Sequence, residues 1–342
     1  MRYPWANTVL LLLLLVQLAT GVGALLSGSA RFSWVLWLHG VGAYALVTIL
    51  LWKGAIIWNV LRRRKLTVLR IAFVLMALLL LAVLASGFYW TYVGPISFFG
   101  FSLMVVHGTL AVLLMAPLLW HLLARRWIFR VPAARDRRAF LRLGGSSLFA
   151  LAFWRGARST KAALEVPSAT RRFTGSYEQG SMTGRFPRVS WLFDAPHPVD
   201  SATWRLTIEG AVQHSPHLSY DDLLRLPQDQ VIETIDCTGG WYSTQVWQGV
   251  RVAHLLEMVG ALPSARSITV EAVTGYKRRF GVDELQHYLL ATHVADQPLT
   301  HGHGAPLRLV APGHRGYDWV KWVVRLHVNE SSKYWQPPLP LQ

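Results

Sequence analysis

Four long apolar segments alternate with short polar segments in the first 130 residues. They cover residues 6–26, 34–52 with an apolar extension to 61, 66–90 and 98–123. Each segment has close to or more than the roughly 20 residues that a helix needs to cross the hydrocarbon core of a bilayer. The pattern predicts that residues 1–130 form an all-α bundle of four transmembrane helices.

The pattern changes to short alternating runs from Thr203 onward. Runs of apolar and polar positions bounded by Gly and Pro are typical of β-strands. The predicted strands are 204–210, 223–227, 231–236, 267–273, 307–311 and 322–328, and the predicted helices are 252–259 and 282–288. We therefore expect residues 172–342 to form a β-rich α+β domain.

The segment that joins these two parts, residues 131–171, begins with a basic motif and continues into a short apolar run. The motif is Asp136-Arg137-Arg138-Ala139-Phe140-Leu141-Arg142, and the run is Leu143–Trp154. This order resembles a twin-arginine export signal displaced from the amino terminus. The resemblance implies a signal anchor that forms a fifth crossing, followed by a linker, and a partner in the twin-arginine export machinery. The alternative is an amphipathic helix on the inner face of the membrane.

The formal net charge of +16 lies almost entirely in residues 1–155, which carry +15, while the remaining residues carry +1. The excess is therefore no argument for a nucleic-acid partner. It is concentrated in Arg62-Arg63-Arg64-Lys65 and in Arg125, Arg126 and Arg130. Because basic loops remain in the cytoplasm, we expect a multi-pass protein of the cytoplasmic membrane, surrounded by lipid. Its C-terminal domain then lies on the periplasmic or extracellular side.

Three histidines, His39, His107 and His121, lie inside the apolar segments. Ionisable groups are expensive in a bilayer, so each is a functional candidate. At about 1.5 Å per residue, His39 and His107 lie roughly 7 to 14 Å below the outer surface. We interpret them as the axial ligands of one b-type haem.

His121 follows His107 by 14 residues, on nearly the same helix face and about 21 Å deeper. It is a candidate ligand of a second haem, although no other apolar segment offers a histidine at the matching depth. Helix–helix hydrogen bonds are the alternative role for all three histidines.

Cys237 is the only cysteine of the chain and stands in Asp236-Cys237-Thr238-Gly239-Gly240-Trp241. A lone cysteine cannot form an intrachain disulfide bond. In an exported domain, an unpaired thiol favours a role as metal ligand.

Residues 172–330 resemble the sulfite-oxidase-type molybdopterin domain, most closely its exported branch, the periplasmic protein-methionine-sulfoxide reductase catalytic subunit. The matching core, in register without a gap, is Cys237, Trp241, Trp247, Gly249 and the pair Leu255-Leu256. The resemblance implies a molybdenum-molybdopterin cofactor. It also implies that Cys237 is the catalytic residue, with its thiolate on the metal.

Two further blocks resemble the segments of that family that hold the pterin and its phosphate. The residues are Thr174, Tyr177 and Glu178 in the first block and His303, Arg308, His314, Arg315, Trp319, Val320 and Lys321 in the second. Arginine and lysine are suitable donors to a phosphate. The cluster of His301, His303 and His314 also permits a zinc site, although neither cysteine nor acid completes a familiar ligand spacing.

Three positions depart from the sulfoxide-reductase branch: Asp236, Gly239 and Ala272. The substrate therefore stays open. Arg278 and Arg279 form either an oxyanion site or a solvated basic turn.

The resemblance implies oxygen-atom transfer to or from a small-molecule or protein-bound oxo substrate, with electrons exchanged through the haem with quinone or quinol. Reduction of an S-oxide or N-oxide is the preferred direction. Sulfite oxidation and a non-catalytic electron-transfer or sensory cytochrome are the alternatives.

Overall fold

The computed structural model of the chain describes residues 5–26, 28–62, 67–124, 137–166, 170–191 and 194–340. The chain divides into two compact units. The first contains residues 1–25 and 30–177, and the second contains residues 178–342 together with residues 26–29.

The first unit is helical, apart from one small hairpin. Its elements are α1 (Trp5–Leu26), α2 (Ser33–Leu61), α3 (Val68–Tyr92), β1 (Ser97–Phe98), β2 (Phe101–Ser102), α4 (Leu103–Ala124) and α5 (Arg137–Ala163). Within the described residues, four stretches are long and apolar enough to cross a membrane: Ala6–Leu26, Ala30–Leu50, Arg70–Tyr92 and Leu103–Ala124. The prediction of four such helices is confirmed.

Helix α4 begins five residues later than the apolar pattern suggested. Ser97 and Phe98 pair with Phe101 and Ser102 in an antiparallel hairpin ahead of it. The aromatic residues that extended the apolar run therefore belong to a turn, because Phe99 and Gly100 adopt positive φ angles of 49° and 83°.

The helices of the first unit share a layer of leucines. Leu11 and Leu14 of α1, Leu46 of α2, Leu80 of α3 and Leu114 and Leu118 of α4 are all buried there. Helices that are hydrophobic on all sides pack through apolar side chains of this kind.

Helix α5 runs through the predicted signal-anchor segment as one 27-residue helix. It contains the backbone of Arg137 and Arg138, whereas Asp136 and the side chains of the motif up to Phe140 lie outside the described residues. The basic groups at residues 63–65 and 125–130 also lie outside them.

The second unit is a β-rich α+β domain, as predicted. Its elements are β3 (Tyr177–Glu178, shared with the first unit), β4 (Arg205–Gly210), β5 (His217–Ser219), α6 (Tyr220–Arg225), β6 (Asp229–Asp236), β7 (Trp241–Arg251), α7 (Val252–Val259), β8 (Ser267–Ala272), β9 (Lys277–Gly281), α8 (Val282–Leu285), β10 (Leu289–Val294), β11 (Gln297–Pro298), β12 (Arg308–Val310) and β13 (Val323–Asn329).

Two sheets organise this unit. In the first, β7 is central and pairs with β6 and β10, and β10 also pairs with β11 and β12. The second has the order β5-β4-β13-β8-β9, in which only the pair β13–β4 is parallel. Buried side chains of both sheets and of α7 form one core that includes Trp204, Trp247 and Trp319.

The predicted strand at residues 223–227 is wrong, because this segment belongs to the short helix α6. The Ser219 hydroxyl accepts the backbone N–H of Asp222 at 3.1 Å, and the Asp222 carboxylate accepts the backbone N–H of Ser219 at 2.9 Å. This reciprocal capping box starts a helix and overrides the apolar pattern of the leucines.

The sequence pattern did not predict the 11-residue strand β7. It alternates between buried and partly exposed positions, but Ser243 and Gln245 stand at two of the buried ones. Buried polar residues conceal the apolar alternation by which strands are identified.

Candidate functional site

Cys237 lies in a tight turn between β6 and β7. Its backbone N–H donates to the carbonyl of Trp241 at 2.8 Å, and Gly240 donates back to the Cys237 carbonyl at 3.0 Å. The turn requires a positive φ of 90° at Gly240, which glycine adopts without strain. The backbone N–H of Gly239 points at Sγ of Cys237 from 3.3 Å.

A second loop holds this turn from outside. Arg315 donates to the Asp236 carboxylate at 2.6 Å and to the Cys237 carbonyl at 3.1 Å, and both charged side chains are buried. The next residue, Gly316, approaches so closely that a Cβ there would lie 3.2 Å from Cα of Cys237. The loop therefore fixes the position of the thiol.

Arg308, on β12, is a buried cation without a carboxylate partner among the described residues. It donates to the His303 carbonyl at 2.9 Å, and its guanidinium lies over the rings of Trp247 and Trp319 at 5.1 and 5.8 Å. Burial lowers the pKa of Arg308 to about 9. A buried positive charge of this kind is a candidate site for an anion.

Lys321 lies beside Arg308, and Gly304 allows the two side chains to pack closely. A Cβ on Gly304 would be 3.0 Å from Lys321 and 3.1 Å from Arg308. Burial and the charge of Arg308 lower the pKa of Lys321 to about 7. Its ammonium donates to the Ser190 hydroxyl at 2.9 Å and to the Gly302 carbonyl at 3.2 Å.

Four buried N–H groups around these cations have no hydrogen-bond partner in the described part of the chain. They are Nε1 of Trp241, Nε1 of Trp319, Nε of Arg308 and Nε of Arg315. Unpaired buried donors are rare in native proteins and call for an explanation. All four are donors, so the missing partner must be rich in acceptors.

Aromatic rings in contact with one another connect the two indole donors. Phe186 lies 6.1 Å from Trp241, 5.7 Å from Trp247 and 4.0 Å from His303, and Trp247 lies 5.5 Å from Trp319. Indoles, guanidinium groups and an ammonium next to one thiol fit a phosphate-bearing pterin whose metal takes a thiolate. The residues present therefore fit the cofactor that the sequence resemblance implies.

Burial raises the pKa of the Cys237 thiol, while the Gly239 N–H and the Arg315 charge act in the opposite direction. The thiol is accordingly neutral in this environment until a metal ion binds it, since metal coordination deprotonates a thiol.

His314 is engaged away from the four unpaired donors. Its Nδ1 lies 2.9 Å from the Asp318 carboxylate and its Nε2 lies 2.7 Å from that of Glu284. Burial alone would lower the pKa of His314, but these two carboxylates outweigh it and raise the pKa to about 9. Protonated His314 thus fixes the loop before Arg315 to α8 through both of its ring nitrogens. The pterin contact of His314 stays a prediction.

Arg278 and Arg279 were expected to form either an oxyanion site or a solvated basic turn, and the structure shows a different arrangement. Arg278 is buried, donates to Asp318 at 2.6 Å and reaches the carbonyls of Pro337 and Pro338. Arg279 donates to the Thr269 hydroxyl at 3.2 Å. These arginines attach the C-terminal segment to β9, because a buried guanidinium has enough donors to satisfy several carbonyls.

The remaining predicted pterin contacts have other partners. Thr174 donates to the Ser176 hydroxyl, and the Tyr177 hydroxyl donates to the carbonyl of Trp90 in the first unit. Glu178, in the second unit, accepts the backbone N–H of Ser181 at 2.7 Å. Val320 is buried in the core of the second unit.

The other predicted zinc-site histidines also have separate partners. Nε2 of His301 lies 3.0 Å from the Pro196 carbonyl, and Nε2 of His303 lies 3.0 Å from the Phe186 carbonyl.

In the first unit, His39 and His107 are brought together. Their ring centroids are 6.2 Å apart, and their planes are nearly perpendicular, at 79°. Two imidazoles on opposite sides of one metal ion, each at about 2 Å, have ring centres roughly 6 Å apart. The separation fits two axial ligands of one iron.

The same two-residue arrangement holds each ring. Nδ1 of His39 lies 2.9 Å from the Thr20 hydroxyl, and Nδ1 of His107 lies 3.0 Å from the Ser86 hydroxyl. The glycine that follows each hydroxyl makes room, because a Cβ on Gly21 or Gly87 would lie 3.5 or 3.1 Å from the ring beside it.

These hydroxyls determine the tautomer of both rings. Thr20 donates its one proton to the Val16 carbonyl at 2.7 Å, and Ser86 donates its proton to the Val83 carbonyl at 2.9 Å. Each hydroxyl oxygen then accepts a hydrogen bond from the Nδ1–H group of the histidine. Nε2 of both rings is left with a free lone pair, the form in which histidine binds a metal.

His121 has its ring contact with Phe73, at 6.2 Å between centroids. Three features that hold the candidate ligands in place were not predicted from the sequence. They are Thr20 beside His39, Ser86 beside His107, and the ion pair of Asp236 with Arg315 beside Cys237. A usable signal was present for the first two, since the hydroxyl-glycine pairs Thr20-Gly21 and Ser86-Gly87 recur in the helix that precedes each histidine.

Comparison with known proteins gives a family for the second unit. The family model described as "Oxidoreductase molybdopterin binding domain" matches residues 193–335. The uncharacterized oxidoreductase YuiH of Bacillus subtilis is 31% identical over 178 residues, which are 48% of this chain and 90% of YuiH.

Two further relatives are named for an activity. The putative protein-methionine-sulfoxide reductase subunit YedZ1 of Azospira oryzae is 30% identical over 47% of this chain and 63% of YedZ1. The mitochondrial sulfite oxidase of Mus musculus is 31% identical over 40% of this chain and 32% of that enzyme. The chain thus spans less than two thirds of either of these relatives.

Proposed function

Because this chain belongs to the molybdopterin-binding oxidoreductases of the sulfite oxidase type, we propose that it is a membrane-bound enzyme that transfers an oxygen atom outside the cytoplasm. It draws the electrons from quinol through a b-type haem and reduces an S-oxide or N-oxide. The substrate is a small molecule or an oxidised side chain of a protein.

The observation that carries this proposal is the set of four unpaired buried N–H donors, two of which belong to Trp241 and Arg315, residues that are hydrogen-bonded to Cys237. The Cys237 thiolate would hold the molybdenum, and Arg308 with Lys321 would hold the phosphate of the pterin. The indole N–H groups of Trp241 and Trp319 would complete the binding of the pterin. When bound, a molybdenum centre would supply oxygen-atom transfer, in which the oxygen atom of an S-oxide or N-oxide passes to the metal while the metal gives up two electrons.

The residues of the chain supply position and charge. Arg315 keeps the Asp236 carboxylate neutralised next to the metal ligand, so that no free negative charge faces the site. The Gly239 N–H stabilises the thiolate that the metal requires. Burial by Phe186 and Trp247 excludes water from the pterin side.

Reduction is preferred over oxidation because a relative at 30% identity is named as a putative subunit of a protein-methionine-sulfoxide reductase. Oxidation of sulfite is the second candidate, because mitochondrial sulfite oxidase is related at 31% identity. The two candidates use the same metal centre and differ in the direction of electron flow.

The haem part of the proposal rests on His39 and His107. Their separation, their shared tautomer and the glycines beside them support ligation of one iron between α2 and α4. Such a haem passes electrons one at a time, whereas oxygen-atom transfer needs two. It would therefore link the two-electron chemistry of quinol to the molybdenum centre.

The membrane orientation and the export route are parts of the same proposal. The four apolar helices and the basic loops support a location of the C-terminal domain outside the cytoplasm. Arg137-Arg138 would direct the folded domain to the twin-arginine machinery. Replacement of both arginines with lysine should leave that domain inaccessible to protease added outside the cell.

The decisive experiment measures metal content and activity of the purified full-length protein. We expect molybdenum in it, viologen-driven reduction of an S-oxide or N-oxide, and loss of this activity in Cys237→Ser with an unchanged haem spectrum. The b-type absorption should disappear in His39→Ala and His107→Ala. Protein that contains haem but no molybdenum would instead indicate a non-catalytic cytochrome, and sulfite-driven reduction of ferricyanide would reverse the proposed direction.

A further inference from the structure

A cavity of about 440 Å³ lies in the first unit, between the end of α3 and the second half of α5. This volume is in the range of small-molecule sites, roughly 300 to 1,000 Å³. Its lining consists of Tyr92, Ala152, Phe153, Gly156, Ala157, Thr160, Lys161, Leu164 and Val166. Apolar and aromatic side chains dominate it, and a few polar groups converge at one end.

The polar end of the lining is formed by Thr160, Lys161 and Tyr92. The Lys161 ammonium lies over the ring of Tyr92, 5.0 Å from its centroid. The Tyr92 hydroxyl is hydrogen-bonded to the hydroxyl of Tyr44 on α2, which lies outside the lining and packs edge-on against Phe153 and Phe88, each at 5.2 Å. The cavity therefore offers a cation and a tyrosine hydroxyl next to the aromatic ring of Phe153.

The charge around this end is unbalanced. Lys161 is in the field of two other cations, Arg158 and Arg171. Arg171 contacts the Thr91 hydroxyl at 3.4 Å, and the guanidinium of Arg158 lies over the rings of Trp37 and Trp154. Within the described residues, no ion pair joins Lys161 to a carboxylate. A partly buried cluster of cations without an acid favours a ligand that carries oxygen acceptors.

We infer that this cavity binds the head group of a membrane quinone. A quinone is a flat ring with two carbonyl oxygens and no positive charge, so it suits aromatic walls and accepts hydrogen bonds from Lys161 and Tyr92. A phospholipid would present a phosphate and a polar head group, for which the apolar lining of Ala152, Phe153 and Gly156 is unsuitable. The inference rests on the proposed function, because it names the site at which the quinone pool is reached.

The cavity is connected to the histidine pair through the same helices. Tyr44 follows His39 by five residues on α2, about 7.5 Å along the helix axis. Phe88, which packs against Tyr44, directly follows Gly87, the residue that contacts the His107 ring. A quinone in this cavity would lie within a short packed path of both proposed haem ligands.

Binding of decylubiquinone to the full-length protein in lipid nanodiscs tests the inference. Lys161→Gln removes the cation, and Ala157→Leu fills the cavity. Loss of one charged hydrogen bond corresponds to roughly tenfold weaker binding, and we expect at least this effect for both variants. The matched controls are Arg155→Gln, an exposed cation of α5 that does not line the cavity, and Ala162→Leu on an exposed position of α5, and both should bind as the wild type does.

A photoreactive azido-quinone identifies the position directly. It should label the α5 peptide that contains residues 152–166, and excess decylubiquinone should suppress this label. Labelling elsewhere, displacement of the quinone by phospholipid, or equal binding in all four variants would overturn the inference. A Lys161→Gln variant with a changed haem spectrum and unchanged quinone binding would also overturn the inference, since Lys161 would then interact with the haem and not with the quinone.

Viologen-driven reduction separates the two proposals. Viologen supplies electrons without quinol, so the reductase activity measured with viologen does not depend on the quinone site. Wild-type protein that is active with viologen but binds no quinone disproves this inference alone. Protein that binds quinone but contains no molybdenum disproves the proposed function and leaves the quinone site standing.

Discussion

Arg315 donates to the carboxylate of Asp236 across 2.6 Å, and both side chains are almost fully buried next to the only cysteine of the chain. The residues are 79 positions apart, yet their backbones also form a parallel bridge. The departure from the family pattern at Asp236 is thus matched by a partner, which keeps the position next to Cys237 electrically neutral.

Asp236→Asn should destabilise the second unit strongly. It leaves the Arg315 guanidinium buried without a counter-charge, and removing one partner of a buried ion pair typically costs about 3 to 5 kcal/mol. Asp236→Leu combined with Arg315→Met should recover a large part of this loss. Denaturant unfolding followed by tryptophan fluorescence measures both. Arg325→Met, which breaks exposed ion pairs, is the control and should cost less than about 1 kcal/mol.

Arg308→Met should lower the amount of bound molybdopterin by roughly tenfold or more, because one charged hydrogen bond contributes about 1.5 to 3 kcal/mol. Arg308→Lys should have an intermediate effect, since lysine keeps the charge and loses the planar set of donors. Fluorescence of the oxidised pterin and metal analysis give the occupancy per chain. Full occupancy in Arg308→Met would exclude a role for this side chain in holding the cofactor.

The ion pairs of His314 predict a loss of stability in mild alkali. The folded pKa of about 9 lies above the ordinary value of 6.5, so the stabilisation is complete below pH 6.5 and is lost as the pH rises through 9. At 1.36 kcal/mol per pH unit, the change amounts to at most roughly 3 kcal/mol.

His314→Gln should unfold more easily than the wild type at pH 6.5, and the difference between the two should shrink as the pH rises to 9. The unfolding temperatures of both proteins, measured in small pH steps, test this. Because the comparison is with the wild type at each pH, the opposite pH dependence of Lys321 cancels. His287→Gln, on an exposed histidine, should retain the wild-type profile. A difference between wild type and His314→Gln that stays constant from pH 6.5 to 9 would contradict the protonated state of His314.

Thr20→Val should raise the midpoint potential of the proposed haem by roughly 40 mV. The variant removes the hydroxyl acceptor for Nδ1 of His39, which makes the imidazole a weaker base, and about 1 kcal/mol corresponds to this shift for one electron. Ser86→Ala should shift the potential in the same direction and by a similar amount, because each ring keeps one backbone carbonyl partner, that of Gln17 for His39 and that of Val83 for His107.

Redox titration of the b-type absorption band measures both shifts. Thr109→Val is the control, since this exposed hydroxyl on α4 is bonded to the Val105 carbonyl of its own helix. Equal shifts in Thr20→Val and Thr109→Val would show that the change does not act through the histidine.

Local sequence signals predicted the local features of the fold well. The helix Val252–Val259 has the predicted bounds, because its buried positions Val252, Leu255, Leu256 and Val259 repeat with helical spacing. The four apolar helices were equally clear. The helix α6 was mistaken for a strand because its capping residues were outweighed by two leucines in the pattern.

Partners far apart in the sequence could not be predicted. Nothing near His314 indicates that Glu284, 30 residues earlier, will be bonded to it. Likewise, a resemblance to a family assigns roles by position, and it cannot show that the Tyr177 hydroxyl is directed to the Trp90 carbonyl. Such pairs depend on how β-strands and helices that are far apart in the sequence pack against each other. The local pattern of apolar and polar residues does not determine this packing.

Because the chain has a single cysteine, labelling of that thiol can measure how many molecules carry the metal. A thiol-specific reagent can modify only Sγ of Cys237, in a chain of 342 residues. A metal on that sulfur would block the reagent, so the labelled fraction under native conditions would count the molecules that reached the membrane without the metal. Mass spectrometry of whole membranes could thus measure the maturation of this protein without purification.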